Sequence, residues 1–327
     1  MTRSPLKVLF TIDVETWPAD WKKATSDEVR RSMSLCIEGH TPQGDCGLPF
    51  QLALFRRHGL KAICFVEPLV AGFIGAEPLR EVVSSIRSAG QEVQLHPHTE
   101  WLGRWPDPPA GVATRGDRLH QFPGPEQVRI FQLGRELLDR AGAGPVSAVR
   151  AGSFGANDAT LRAAAEVGLA FEASFNACYR GRECRMDGVG RPLLPQRHEG
   201  ITLLPMGWFE DWPGHGRHLQ VTACSLAELT GGLEAAYRAG WSHLVLLSHS
   251  FEAVDRNRGC ADRTVLRRLE GLAAWLAHHR DRFQTQHCAD LPQEGFPVAG
   301  EGLVLTSPPW RTLGRMAEQG ARRWRNA

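Results

Sequence analysis

Short apolar runs alternate with longer stretches in which apolar residues recur every three or four positions. Residues 8–13, "VLFTID", are apolar and end on an acid. Residues 50–59, "FQLALFRRHG", carry apolar side chains at helical spacing and stop at Gly59. Residues 61–68, "KAICFVEP", read as a second strand stopped by Pro68, and 91–98, "QEVQLHPH", as a third that runs into histidines. Between them, Leu79, Val82, Val83 and Ile86 form one stripe of a helix over 77–90, with Gly90 to end it. Helix 126–141, strand 146–152, helix 158–168, strand 170–174, helix 225–239, strand 243–249 and helix 262–280 continue the series. This pattern predicts an α/β fold, a parallel sheet or barrel with helices outside.

Residues 17–48, 101–125 and 176–220 break the alternation and are rich in Gly, Pro, Trp and Arg. They read as long loops over one end of the sheet, and loops longer than about 15 residues are usually functional. Residues 1–290 are expected to form one domain. Residues 291–327 are expected to extend it with an extended piece and a closing helix.

Composition excludes several classes of protein. The 327 residues are 42% hydrophobic, enough for a sizeable core. A formal charge of +2 gives no case for nucleic acid as a partner. The basic tail "ARRWRNA" reads as the solvated face of a terminal helix. No run of about 18 apolar residues marks a membrane span. The opening "MTRSPLKVLFTIDVE" reads as a first core strand rather than a signal peptide, which predicts a cytoplasmic protein. The eight cysteines show no Cys-x-x-Cys spacing, against a zinc ribbon and in keeping with a reducing compartment. Cys64 reads as core packing. "RAGSFGAN" supplies only G-x-x-G, which falls short of a dinucleotide fingerprint.

The chemistry gathers at strand ends. The first strand runs out through Asp13 and Glu15, the third through His96 and His98, and later ones through Arg150 and His249. Ligands of parallel α/β folds bind at the carboxyl ends of strands. Asp13 and Glu15 are two positions apart, as are His96 and His98, so each pair shares a strand face. One carboxylate with two imidazoles is a common ligand set for zinc and related divalent ions. An acidic pair alone is more often a turn or a cap, a lone His a core residue and a lone Arg an ion-pair partner. The joint placement is what points to a site.

Five pieces, in order, resemble the motifs of the polysaccharide deacetylase family (NodB-like, carbohydrate esterase family 4). "TIDVETW" resembles the first motif, and "HGLKAICFV" is similar to the second strand. "SAGQEVQLHPHTEWL" resembles the metal-histidine motif, "VRAGSFGAN" the arginine motif and "LVLLSHSFE" the Leu-x-His motif. The resemblance implies a distorted (β/α) barrel of about seven parallel strands and one divalent metal ion. Zinc is the expected ion, with cobalt, nickel, iron or manganese as alternatives. It implies Asp13 as general base, Glu15, His96 and His98 as metal ligands, Arg150 as the residue that holds the base, and His249 as general acid. The usual adjacent acid pair is split here by Val14, so Asp13 and Glu15 could exchange roles. The usual second histidine position holds Glu100, an alternative third ligand. Asp211 is the candidate acid that orients His249.

The implied reaction is hydrolysis of an N-acyl, expectedly N-acetyl, amide on a sugar. The expected substrate is a small-molecule or lipid-linked precursor, and surface polysaccharide or O-antigen biosynthesis a possible setting. The chain has ten tryptophans, and indole faces can stack on sugars. Trp101, Trp208 and Trp212 are the candidate substrate contacts, with Trp17, Trp21 and Trp105 also in loops. Arg104, Arg180, Arg182 and Arg185 are candidate phosphate contacts. The alternatives are a hydrolase of non-sugar linear or cyclic amides and an inactive glycan-binding relative. The oligomeric state is open.

Overall fold

The computed structural model describes residues 3–112, 114, 116–292, 296 and 304–325. Its main sheet has nine strands, eight of which lie parallel to their neighbours. In chain order they are β1 (Leu6–Val14), β2 (Ile63–Val66), β3 (Glu92–Leu95), β4 (Ala148–Val149), β5 (Phe171–Glu172), β6 (Gln196–His198) and β7 (Ile201–Leu203). A separate hairpin follows, β8 (Trp208–Trp212) and β9 (His215–His218), and then β10 (His243–His249) and β11 (Phe283–Thr285) return to the sheet. The spatial order is β10-β1-β2-β3-β4-β5-β7-β6, with β11 paired to the first residues of β1. Only β6 runs antiparallel, against β7. The sheet curls into a half-barrel with helices outside.

Side-chain alternation explains the layers. Along β1, Val8, Phe10, Ile12 and Val14 belong to the large core that also holds the helix residues. Leu9 points the other way, into a smaller inner cluster with Ile63, Phe65, Ala148, Phe171, Val245 and Leu247. That apolar plug fills the base of the barrel. On the same inward rows, beyond the plug, come Thr11 and Asp13 from β1 and Glu15 just after it, His96 and His98 after β3, Arg150 after β4, and His249 at the end of β10. All but His249 are buried. The register sets Asp13 beside Phe65 on one side and beside His249 on the other.

The outer helices match the periodicity: Leu48–His58, Glu77–Ser88, Gly124–Arg140, Asp158–Glu166, Leu226–Arg238 and Arg263–His278. Strands β7 and β11, "ITL" and "FQT", escaped the sequence reading because three residues show no usable period. The expected loops contain more structure than predicted. Residues 17–48 hold a helix, Ser26–Met33, begun by a capping box of Thr25 and Glu28. Only Val29 and Met33 of that helix are buried, which left its apolar signal too sparse to read. Residues 176–220 hold β6 to β9, and 101–125 contain short 3-10 turns, with 113 and 115 outside the described residues. The closing helix spans Pro309–Arg325, and Thr306 pairs with Glu210 ahead of it. Residues 293–295, 297–303, 326 and 327 of the predicted extension lie outside the described residues.

Irregular chain, rather than a strand, covers the free edge of β10. Gly207 N donates to Val245 O at 3.1 Å, Leu247 N to Leu219 O at 2.9 Å, and Val221 N to Leu247 O at 2.9 Å. Next to this seam, Met206 N donates to Phe175 O at 2.8 Å. The close approach requires glycine at 207, where a Cβ would stand 2.5 Å from Val245 O. Gly207→Ala is expected to destabilise the protein by about 1–3 kcal/mol through this backbone clash, read as a lower urea midpoint at unchanged slope.

Candidate active-site cleft and metal centre

The inward polar row opens into a cleft of about 1090 Å3 lined by Asp13, Glu15, His96 and His249. Its outer walls include Trp17, Phe154, Phe251, Arg31 and Arg256. Arg150 lies beneath the floor, fully buried. Its Nη1 donates to Asp13 Oδ1 at 2.6 Å and to Thr11 Oγ1 at 2.9 Å, and its Nε donates to Ala173 O at 3.1 Å. The guanidinium also stacks over Phe65, 4.3 Å from the ring centre. This leaves Asp13 Oδ2 facing the histidines, 3.8 Å from His96 Nε2.

Glu15, His96 and His98 bring one carboxylate oxygen and two imidazole nitrogens to one point. Glu15 Oε2 is 3.3 Å from His96 Nε2, the two Nε2 atoms are 3.2 Å apart, and Glu15 Oε2 also contacts His98 Nε2. His96 Nδ1 donates to Arg150 O at 2.7 Å, which leaves its Nε2 lone pair aimed inward. His98 Nδ1 lies 2.9 Å from Glu100 Oε1. Glu100 is therefore behind His98, on the side away from Glu15, where it orients the ring. Burial pushes the Glu15 carboxyl up, but the charges and hydrogen bonds of His98 and His96 override this and hold it well below the usual range. Burial pushes His98 down, and Glu100 and Glu15 override it, leaving His98 well above an ordinary imidazole. Donor atoms crowded this closely, with backing hydrogen bonds on their far sides, fit a divalent cation.

His249 faces this group, its Nε2 3.9 Å from Glu15 Oε1. Its Nδ1 lies 2.7 Å from Glu252 Oε1, and Glu252 is buried. Gln220 Nε2 donates to the same Glu252 oxygen at 2.6 Å. Burial lowers the His249 pKa, but the hydrogen bond and charge of Glu252, with Glu15 and Asp13 behind, raise it to about 9. Phe251 stacks on the His249 ring at 5.1 Å, and Arg256 stacks over Phe251 at 4.6 Å.

Several predicted contacts lie elsewhere. Asp211 does not orient His249: its oxygens are taken by His215, by Arg217 Nε at 2.6 Å and by Arg315 Nη2 at 2.8 Å. Glu252 fills that place, three residues after His249 in "SHSFE", a spacing visible in the sequence. Trp101 is 1% exposed and stacks on Phe73 in the core, so it cannot meet a substrate. Trp208 is buried, and Trp212 is exposed on the hairpin; neither lines the cleft. The cleft's tryptophan is Trp17, edge-on to His98 at 5.0 Å. The candidate phosphate arginines are bound to backbone carbonyls: Arg104 to Lys22 and Ala24, Arg180 to Asp187, Arg182 to Cys178 and Arg185 to Arg182. Sequence reading also missed Glu67, which extends the inward row of β2 and accepts from the backbone N–H groups of Leu69 and Val70. Burial raises its carboxyl pKa to about 8.

The chain matches no protein-family model, and no curated protein matches it. Solved structures do resemble it. A Mycobacterium smegmatis protein provisionally named a polysaccharide deacetylase is 18% identical, with 87% of this chain and 88% of that one aligned at a TM-score of 0.55. The 4-alpha-glucanotransferase of Thermococcus litoralis is 10% identical, with 88% of this chain against 40% of that one at 0.54. A family 4 carbohydrate esterase from Streptomyces lividans, in complex with acetate, aligns more loosely, at 14% identity over 88% and 94% of the two chains and a TM-score of 0.42. The fold is the distorted barrel of the NodB-like polysaccharide deacetylases. Among the described residues no helix is long and apolar enough to cross a membrane.

Glu100→Gln is expected to weaken zinc or cobalt binding about 10–100-fold, measured by competition with a chromogenic chelator, while the folded protein keeps its circular dichroism.

Proposed function

We propose that this protein hydrolyses an N-acyl amide on a precursor sugar, releasing the acid, expectedly acetate, and the free amine. What supports this reading is the convergence of an Arg-held carboxylate, a Glu–His–His cation site and a Glu-held histidine in one cleft. Glu15, His96 and His98 hold the divalent ion, zinc in the first place. When bound, such an ion lowers the pKa of water and stabilises negative charge developing on a carbonyl oxygen.

The chain's own groups divide the proton work. Asp13, fixed through one oxygen by Arg150, offers the other to the proton of the attacking water. His249, kept protonated by Glu252, gives its proton from Nε2 to the departing amine nitrogen, which would otherwise leave poorly. Glu100 and Arg150 O hold the two imidazoles in the tautomers that leave both Nε2 atoms for the ion. The walls of Trp17, Phe154 and Phe251 suit the apolar faces of a sugar ring. Arg31 and Arg256 line the same cleft and are exposed. They favour a phosphate-bearing sugar, nucleotide-linked or lipid-linked, over a neutral finished polymer. Assembly of surface glycan such as O-antigen is a setting that consumes such precursors.

The direct test is acetate release from N-acetylated nucleotide sugars by the zinc- or cobalt-loaded protein. A chelator is expected to abolish it and added metal to restore it. Asp13→Asn is expected to lower kcat by about 10²–10⁴. It leaves the buried Arg150 charge uncompensated, so rates are referred to the folded fraction. A folded Asp13→Asn protein with full activity sinks the proposal.

The pH dependence separates the two candidate orienters. An acid catalyst works while protonated, so activity falls as pH rises through the His249 pKa. Removing the Glu252 charge lowers that pKa. Glu252→Gln should therefore move the alkaline limb of the kcat profile to lower pH by about one unit or more, whereas Asp211→Asn should leave it in place.

A further inference from the structure

The closing helix Pro309–Arg325 is inside-out. Through residue 322, every exposed position is apolar or glycine: Pro309, Trp310, Leu313, Gly314, Met316, Ala317, Gly320 and Ala321. Its polar residues, Arg311, Thr312, Arg315, Glu318, Gln319 and Arg322, are buried or half-buried against the protein. Ion pairs hold that face down. Arg315 donates to Glu228 Oε1 at 3.0 Å and to Asp211 Oδ2 at 2.8 Å, Arg268 donates to Glu318 Oε1 at 2.8 Å, and Arg322 meets Asp262. The Thr312 hydroxyl donates to Asp211 O.

A helix packed against a core in water normally shows the reverse arrangement. Here four carboxylates of the body or the helix are paired inward, and solvent receives Trp310, Leu313 and Met316 at 63%, 57% and 53% exposure. Among the described residues, the only other large apolar side chain so exposed is Trp212. It follows Asp211, the residue the helix is pinned to, so the hairpin tip stands beside the helix. Exposed apolar surface gathered in one place marks an interaction face.

Charge indicates the occupant. Of the helix's five arginines, Arg315 and Arg322 are paired inward, but Arg311 lies over the exposed Trp310 ring, 5.0 Å from its centre. Arg263 and Arg267 stand exposed on the neighbouring helix that supplies Arg268. An anionic surface that is apolar beneath its charges complements both features. We infer that this helix, with Trp212, docks the protein on an anionic lipid bilayer, lying along the interface without crossing it. The inference does not depend on the chemistry of the cleft, although it would bring the enzyme to lipid-linked substrates. The sequence reading of "ARRWRNA" as a solvated face falls mostly on side chains outside the described residues.

The test is co-sedimentation of the full chain with phosphatidylcholine vesicles, with and without phosphatidylglycerol. Binding is expected only with phosphatidylglycerol, and high salt should weaken it. The triple variant Trp310→Ser, Leu313→Gln, Met316→Gln should bind about tenfold or more weakly. These side chains are exposed, so its thermal midpoint should match that of the parent. Amide hydrogen exchange supplies a reading that needs no variant: residues 309–322 should gain protection on adding the anionic vesicles. Failure of the parent protein to bind overturns the inference, as does equal binding by the variant. Sedimentation equilibrium showing a dimer that the triple variant dissociates overturns it too, and assigns the face to a second copy.

Discussion

The ion pair between Arg150 and Asp13 governs the barrel mouth. Both groups are out of water, and a guanidinium alone there would cost several kcal/mol. The pair is sustained because Arg150 also has Thr11, the Ala173 carbonyl and the Phe65 ring, while its own carbonyl accepts from His96. These contacts reach β1, β2, the residue after β3 and the residue after β5. Sliding any of those strands by one position would turn its inward row outward and strand a charge. The same residue therefore fixes the register and aims one ligand histidine.

The site is graded from dry to wet. An apolar plug of Leu9, Phe65, Phe171 and Val245 closes the base. The paired Asp13 and Arg150 come next, then the donor cluster, and His249 is the partly open group at the cleft. That grading lets one pocket hold groups of opposite tendency. Burial pushes carboxyls up and imidazoles down, yet Glu15 is held low and His249 is held high because each has an opposite charge in contact. At Glu67, burial outweighs the His98 charge and two backbone donors, and the carboxyl goes the way burial dictates.

The closing helix obeys a different logic. Its charged face is spent on Asp211, Glu228, Arg268 and Asp262. Asp211 thus belongs to the attachment of that helix rather than to catalysis. Its position in "WFEDW", close to sugar-binding candidates in the sequence, concealed this because its partners come from the far end of the chain.

By itself the sequence determined the strand–helix alternation, the helix boundaries to within a few residues, and the inward rows Asp13/Glu15 and His96/His98. Each follows from a local period of two or of three to four, which needs no knowledge of neighbours. It also placed Arg150 and His249 at strand ends. Only the tertiary structure decided which acid backs which histidine: Glu100 behind His98, Glu252 behind His249, and Asp211 with neither. Only the tertiary structure, too, replaced Trp101, Trp208 and Trp212 with Trp17 at the cleft, and turned the apolar side of the last helix outward. Composition records that a tryptophan or an acid is present, but which way it faces depends on partners a hundred or more residues away, brought close by the register of the barrel.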